Sequence, residues 1–386
     1  MRKIIKIIGA AVLMALILLI SFCDQQHKSE AQIEATFTHS TGNKVFLHEL
    51  LPDGWIKIDS AFVNNDGKIS FTVQDTTAGL YTLSTDRDNL VIVQTVPGKT
   101  EKLKADIRQI PSTYQVTCCA GSRLLQDFKQ QTIKHLDRID SLVLELNRYQ
   151  DSSNYLKVKK QTDSLVQQIH QKQKHYQTDL VRQNKTTLAV LIPLFQPFGQ
   201  EPVLTIRKYP ALFKEINDSL SAQYPNNPHV LELNKRVERY QEQENRAAAS
   251  EQRLKPSLEA PDFAADRIDG TPKKLSGLRG KYVVLDFWSE QNPQYKERQK
   301  KIHTIVRRYD NVHHFTVYHG TDRLIFGRNA KSYPQQSTHT TGKKVVLKMY
   351  NIREQDRLFL IAPDGSILAR DITPETLASV INENRD

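Results

Sequence analysis

LDFWSEQNPQYKER, residues 285–298, decides how the C-terminal third of the chain is read. It opens as an apolar strand that ends at Trp288, turns through Pro293, and continues as a basic amphipathic helix. No cysteine lies in it.

Working outward, residues 260–288 (APDFAADRIDGTPKKLSGLRGKYVVLDFW) run from a short lead-in through a glycine-turn hairpin to that strand. Downstream, QYKERQKKIHTIVRRY (294–309) has helical periodicity and HHFTVYHG (313–320) reads as the next strand. MYNIREQDRLFLIAPDGSILARD (349–371) supplies two more strands around a Pro-Asp-Gly turn, and PETLASVINEN (374–384) a terminal helix. In order and spacing, residues 256–386 resemble the TlpA/ResA-like, AhpC/TSA-type branch of thioredoxins. The resemblance implies a thioredoxin-like α/β domain and, for intact members, thiol-disulfide oxidoreductase chemistry.

In that family the helix after the Trp strand begins with CxPC, because a thiolate at a helix N-terminus is stabilised by the dipole. Pro293 aligns with the motif proline, so Gln291 and Gln294 stand where the attacking and resolving cysteines belong, with Asn292 between them. A glutamine neither ionises nor forms a mixed disulfide. Counting back from FLIAPDG (359–365), Asp356 stands where the family places a cis-proline facing that turn. A cis bond before a non-proline costs about 3 kcal/mol, so a trans peptide is expected at Gln355-Asp356. Asp286 matches the acid that assists the resolving cysteine. With no thiol to serve, it is expected as a buried or half-buried carboxylate hydrogen-bonded to a neighbour. The site positions Gln291, Asn292, Pro293, Gln294, Asp356 and Asp286 thus describe a degenerate centre without catalytic residues.

Other chemistry finds little support. His303, His313, His314, His319 and His339 show no HExxH or paired-ligand spacing, and strand alternation sends the His313 and His314 rings to opposite faces. Ser289, Glu290 and Lys296 offer polar atoms near a helix start, where a serine is a capping residue before it is a nucleophile. A glycine-rich phosphate loop is absent. No metal and no cofactor is expected.

The chain has 386 residues, 39% hydrophobic and 25% charged, enough for two or three domains. Residues 1–23 (MRKIIKIIGAAVLMALILLISFC) place three basic residues before an apolar run, the pattern of an export signal. Cys23 resembles the lipidated first residue of a bacterial lipoprotein, with Ile20 and Ser21 in acceptable positions and Phe22 departing from the usual small residue. An uncleaved anchor or a plain secretory signal are the alternatives. The expected location is the cell envelope, facing the periplasm or on the outer membrane, with the lipid anchor as membrane contact. Three of the 54 basic and none of the 43 acidic residues fall in this segment, leaving the rest of the chain at +8. Its basic residues form no run of five and no aromatic platform, so nucleic acid is not expected as a partner. A protein partner in the envelope is.

Residues 32–116 alternate short apolar runs with turns, the sharpest at Asn65-Asp66-Gly67, and predict an antiparallel sandwich or barrel. This stretch resembles the β-rich domain of unknown function that precedes thioredoxin-like domains in many Gram-negative envelope lipoproteins. Residues 121–250 turn helical. Leu125, Phe128, Thr132, Leu136, Ile139, Val143 and Leu146 form one stripe, and Tyr155, Val158, Thr162, Leu165, Ile169, Tyr176 and Leu180 a second. Two facing stripes predict an antiparallel hairpin, with a partner-binding coiled coil as the alternative. The fold class is therefore α+β multidomain, with an N-terminal sandwich, a central helical hairpin region and a C-terminal thioredoxin-like domain.

Cys118 and Cys119 are the remaining cysteines. Neighbours cannot staple distant segments. Two strand-end cysteines are expected to face opposite sides of a sheet; a vicinal disulfide, or a redox pair relocated from the lost motif, is the alternative. The overall reading is a non-catalytic binding or scaffold protein, against an oxidoreductase served by Cys118 and Cys119.

Overall fold

In the computed structural model, residues 29–40, 42–75, 77–333, 337–353 and 355–384 are described. The export segment, with Cys23, lies outside them. Among the described residues no helix is long and apolar enough to cross a membrane. The chain divides into two compact units, one ending at Tyr240 and one beginning at Gln241.

The strands of the first unit are β1 (Ser29–Thr38), β2 (Lys44–Leu51), β3 (Gly54–Phe62), β4 (Lys68–Asp75), β5 (Gly79–Ser84), β6 (Leu90–Thr95), β7 (Thr100–Asp106) and β8 (Gln115–Val116). They form two four-stranded sheets, ordered β4-β1-β7-β8 and β3-β2-β5-β6. Strict alternation in β4 sends Ile69, Phe71 and Val73 inward against Ile33, Leu47, Leu83, Val93 and Leu103. The turn before β4 is set by Asn64, whose Oδ1 accepts the Asp66 and Lys68 amides at 3.0 and 2.7 Å. Gly67 (φ 75°) follows, where a Cβ would collide with the Phe37 carbonyl.

One pairing departs from the antiparallel expectation: β1 and β7 run parallel, Gln32 opposite Thr100. Parallel neighbours need a crossover, and here the chain supplies it by building the other sheet between them. At that sheet's edge, β3 leaves Trp55, Ile56, Ile58 and Phe62 exposed.

Helices follow: α1 (Ile110–Thr113), α2 (Ala120–Asn147), α3 (Tyr155–Gln183), α4 (Leu191–Phe195), α5 (Pro210–Gln223) and α6 (Pro228–Arg253). A small ladder, β9 (Pro197–Phe198) with β10 (Glu201–Pro202), sits among them. Pro210 and Pro228 start α5 and α6, where the missing N–H costs nothing. The Ala-rich stretch at residues 247–249 stays helical, as alanine favours, and α6 runs on to Arg253.

The expected stripe on α2 holds only for its first half. Leu125 and Phe128 are buried, but Leu136 and Val143 are exposed and Leu142 is buried in their place. The stripe averages 3.5 residues per step, and a straight helix drifts about 20° per heptad against that spacing. The α2–α3 seam is partly polar: His135 Nδ1 lies 2.7 Å from Gln173 Oε1, and Gln173 donates to Thr132 Oγ1 at 3.1 Å.

The second unit takes in the end of α6 and, just past it, the buried Leu254. Its strands are β11 (Ala264–Arg267), β12 (Pro272–Lys274), β13 (Tyr282–Trp288), β14 (Val312–Tyr318), β15 (Ser337–Thr341), β16 (Arg357–Ile361) and β17 (Ile367–Arg370). They form one sheet ordered β12-β11-β15-β14-β13-β16-β17. The central β15-β14-β13 run is parallel, while β16 and β17 pair antiparallel. Helices α7 (Tyr295–Val306), α8 (Arg323–Ser332), α9 (Lys344–Met349) and α10 (Leu377–Glu383) complete the mixed α/β unit.

The two faces of this sheet differ. Leu285 and Phe287 join Phe263, Phe315, Tyr350 and Phe359 in an aromatic cluster, with Phe287 and Tyr350 centroids 5.0 Å apart. The other face begins apolar at Val284, Val312 and Leu360, then turns polar toward the strand ends. That polar end is where the candidate site lies.

Candidate functional site

Alternation along β13 puts Val284, Asp286 and Trp288 on one face. Asp286 is fully buried. Its Oδ1 meets the Arg298 guanidinium at 2.6 Å, Gln299 donates to Oδ2 at 2.6 Å, and His314 Nε2 lies 3.4 Å from Oδ2. Burial alone would raise this carboxyl, but Arg298, His314 and Gln299 overcome it and hold the group down at about 2. The expectation of a buried, partnered carboxylate describes this arrangement.

Arg298 also faces a second acid, with its Nε 3.9 Å from Asp356 Oδ2. Asp356, just before β16, gathers the turn that follows Trp288. The Ser289 N–H donates to Oδ1 at 3.0 Å, Asn292 Nδ2 donates to Oδ2 at 2.8 Å, and His319 Nε2 is 3.5 Å from Oδ1. Asn292 Oδ1 in turn accepts the Gln294 N–H at 2.9 Å. Asp356 therefore ties down the turn that follows Trp288. No cis peptide occurs among the described residues.

Glu290 holds the same turn from the other side. Its carboxylate accepts the Tyr318 hydroxyl at 2.6 Å and the Thr321 and Asp322 amides at 2.9 and 3.3 Å. Burial opposes ionisation, yet these donors bring the carboxyl down to about 2. Gly320 makes the approach possible, because a Cβ there would collide with Glu290 Oε2. Trp288, fully buried, is stacked on Tyr295 with centroids 5.9 Å apart.

Two expectations need correction. The helix opens at Tyr295, so Gln291 and Gln294 precede it and are exposed to solvent. Ser289 does not cap it: its side chain is buried and its hydroxyl has no partner, because Asn292 and Pro293 lengthen the turn and Asn292 takes the amide of Gln294. Lys296 lies on the exposed side of α7.

The histidines divide as alternation requires. His313 Nε2 reaches Thr338 Oγ1 at 2.9 Å and His314 turns the opposite way to Asp286. His339 bridges Thr316 Oγ1 and the Tyr333 carbonyl, and His303 packs on the Tyr333 ring. Burial lowers His303, His313 and His339 to about 4, leaving them neutral at pH 7.

Sequence reasoning missed Arg298, Gln299 and His319 as partners of the two acids. One signal was available: Gln299 sits on the same helical stripe as Ile302 and Val306, a polar residue on an inward face. Chemically, the site is a set of neutralised charges around a closed turn. It presents no thiol, and no nucleophile paired with a base.

Cys118 and Cys119 belong to the first unit. They do not face opposite sides, because β8 ends at Val116 and both lie in the loop that starts α2. Their sulfurs are 3.4 Å apart and both are free. Burial, with Glu101 beside it, pushes the Cys119 thiol up, the reverse of an activated nucleophile.

No family model and no curated protein matches the chain. Solved structures do. The chain is similar to the thioredoxin domain of a thiol-disulfide oxidoreductase from Bacteroides vulgatus, at 17% identity, over 34% of this chain and 99% of that one, with a TM-score of 0.32. A secreted Mycobacterium tuberculosis disulfide oxidoreductase homologous to DsbE is 18% identical over 31% and 95%, with a TM-score of 0.28. The exposed lipoprotein thioredoxin of Streptococcus pneumoniae is 18% identical over 32% and 99%, also at 0.28. The structures this chain resembles are thus thioredoxin-like domains of the thiol-disulfide oxidoreductase type, covering about a third of it.

Proposed function

We propose that this chain is a non-catalytic thioredoxin-like protein of the cell envelope, in which the second unit serves as a binding or scaffold domain. The observation that carries the reading is the closure of the turn by Asp356, which accepts from Ser289 and Asn292 where a redox member would present a thiol and an open peptide edge. A turn held by Asp356 on one side and Glu290 on the other is built to stay fixed. Fixed polar structure suits recognition better than exchange chemistry, in which a thiolate must be reached by a disulfide.

The export segment at residues 1–23 supports placement outside the cytoplasm, with Cys23 as the proposed lipid attachment. A protein partner in the envelope fits the edge strand β3, whose unpaired backbone and exposed Trp55, Ile56 and Phe62 offer a strand and apolar side chains together.

The test is a disulfide-reduction assay on the full chain with a peptide disulfide and a chemical reductant. The expected rate equals the no-protein control. Sustained turnover that disappears on replacing a single residue would overturn the reading.

A further inference from the structure

Glu101 is out of place by the logic of its strand. On β7 the inward positions are Glu101, Leu103 and Ala105, alternating with exposed Lys102 and Lys104. A carboxylate only 1% exposed at such a position needs partners for both oxygens. Oε2 accepts the Cys119 N–H at 3.1 Å, and the Cys119 thiol, the Ser122 hydroxyl and the Cys118 amide lie close enough to favour the charged carboxylate, yet Oε1 is buried without a well-aligned hydrogen bond.

What surrounds it is sulfur. The Cys118 and Cys119 sulfurs are 3.4 Å apart, and they and a Glu101 carboxylate oxygen all lie within 4.8 Å of one another. Among the described residues this is the one group of His, Cys, Asp and Glu side chains spaced to share a cation. Tetrahedral zinc with Zn–S bonds of about 2.3 Å places two sulfurs about 3.8 Å apart, so a small side-chain rotation brings this pair to bonding geometry. Cys119 is the N-cap of the 28-residue helix α2, whose first-turn amides favour negative charge on the ligands.

We infer that Glu101, Cys118 and Cys119 form a three-donor site for a thiophilic divalent cation of the Zn2+ and Cd2+ type, with the half-buried Cys118 side open for a fourth ligand. The donor set excludes Ca2+ and Mg2+, which take oxygen ligands. A vicinal disulfide would need the sulfurs at about 2.05 Å and would leave Glu101 Oε1 without a partner. A shared cation accounts for the two sulfurs and the orphaned oxygen at once. The site is independent of the reading of the second unit.

The experiment is a titration of the reduced, tag-free full chain with CdCl2 under anaerobic conditions, followed by the thiolate-to-metal charge-transfer band in the ultraviolet and competed with ZnCl2. One equivalent saturates the band in the native chain and in Cys23→Ser. Cys118→Ser and Cys119→Ser each weaken Cd2+ binding by roughly 100-fold, and Glu101→Gln by roughly 10-fold or more. Should buried Glu101→Gln or Cys119→Ser fail to fold, the less buried Cys118→Ser decides. Saturation at one equivalent that survives Cys118→Ser, a band that depends on Cys23, or no band at all would each overturn the inference.

Discussion

Asn292 donates its side-chain amide to Asp356 Oδ2 across 2.8 Å, joining two turns that lie 64 residues apart in the chain. One lies in the turn after β13 and the other just before β16, so the bond holds two loops of the sheet's polar end together. The second oxygen of Asp356 takes the Ser289 amide, so the same carboxylate fixes the turn at both its start and its middle. Arg298 lies between this acid and Asp286 and balances part of the charge of each.

Replacing Asp356 with Ala removes a carboxylate, itself only 7% exposed, that accepts from a backbone amide and from Asn292. The expected cost is about 2–4 kcal/mol in urea unfolding of the chain. Asn292→Ala should cost about 1 kcal/mol, and the double variant less than the sum of the two, because the shared bond is lost only once.

Acid should weaken the second unit through Asp286. Its folded value of about 2 lies below the ordinary 3.8, so its stabilisation is complete above pH 4 and is lost as pH falls toward 2. The loss expected over that window is about 2 kcal/mol, read from denaturant midpoints. Asp286→Asn should flatten this slope while lowering stability at pH 7 by about 3 kcal/mol, since Arg298 is left facing Asp356 alone at 3.9 Å.

A second, higher window belongs to the histidines. Burial holds His303, His313 and His339 at about 4 against an ordinary 6.5. The unfolded chain therefore takes up protons first as pH falls below 6.5, and stability declines between pH 6.5 and 4. A shift of that size, fully realised, is worth about 3 kcal/mol per histidine, and less for the three together because each value is lowered partly by neighbouring histidines. His339→Gln is expected to reduce the slope, which urea midpoints at pH 7, 6 and 5 would measure.

Gly320→Ala tests the other clasp of the turn. The added Cβ meets Glu290 Oε2 and the Tyr318 hydroxyl, so the carboxylate must give up that bond. A loss of about 1–3 kcal/mol is expected, with a downward shift of the Tyr318 titration, since Glu290 now helps to hold that phenol protonated.

How far the sequence went can be seen at individual residues. The Trp288 strand, the turn at Pro293 and the helix after it were readable because local periodicity carries them. Asp286 was readable as a buried or half-buried, partnered acid from its place in the strand and the cost of burying a carboxylate alone. Its cation was not, because Arg298 reaches it only once α7 has packed on β13. What Asp356 does was not legible, because it depends on a contact across 64 residues that no local pattern carries. Alternation misjudged Cys118 and Cys119 because the strand it assumed stops at Val116, and Glu101 joins them only through β7.

The most direct test of the closed turn is amide hydrogen exchange at Ser289. Its N–H donates to Asp356 at 3.0 Å in a nearly closed site, so it should exchange as slowly as the β13 core amides and speed up strongly in Asp356→Ala. Exchange of the native Ser289 amide at the rate of an exposed loop, unchanged by Asp356→Ala, would contradict the account.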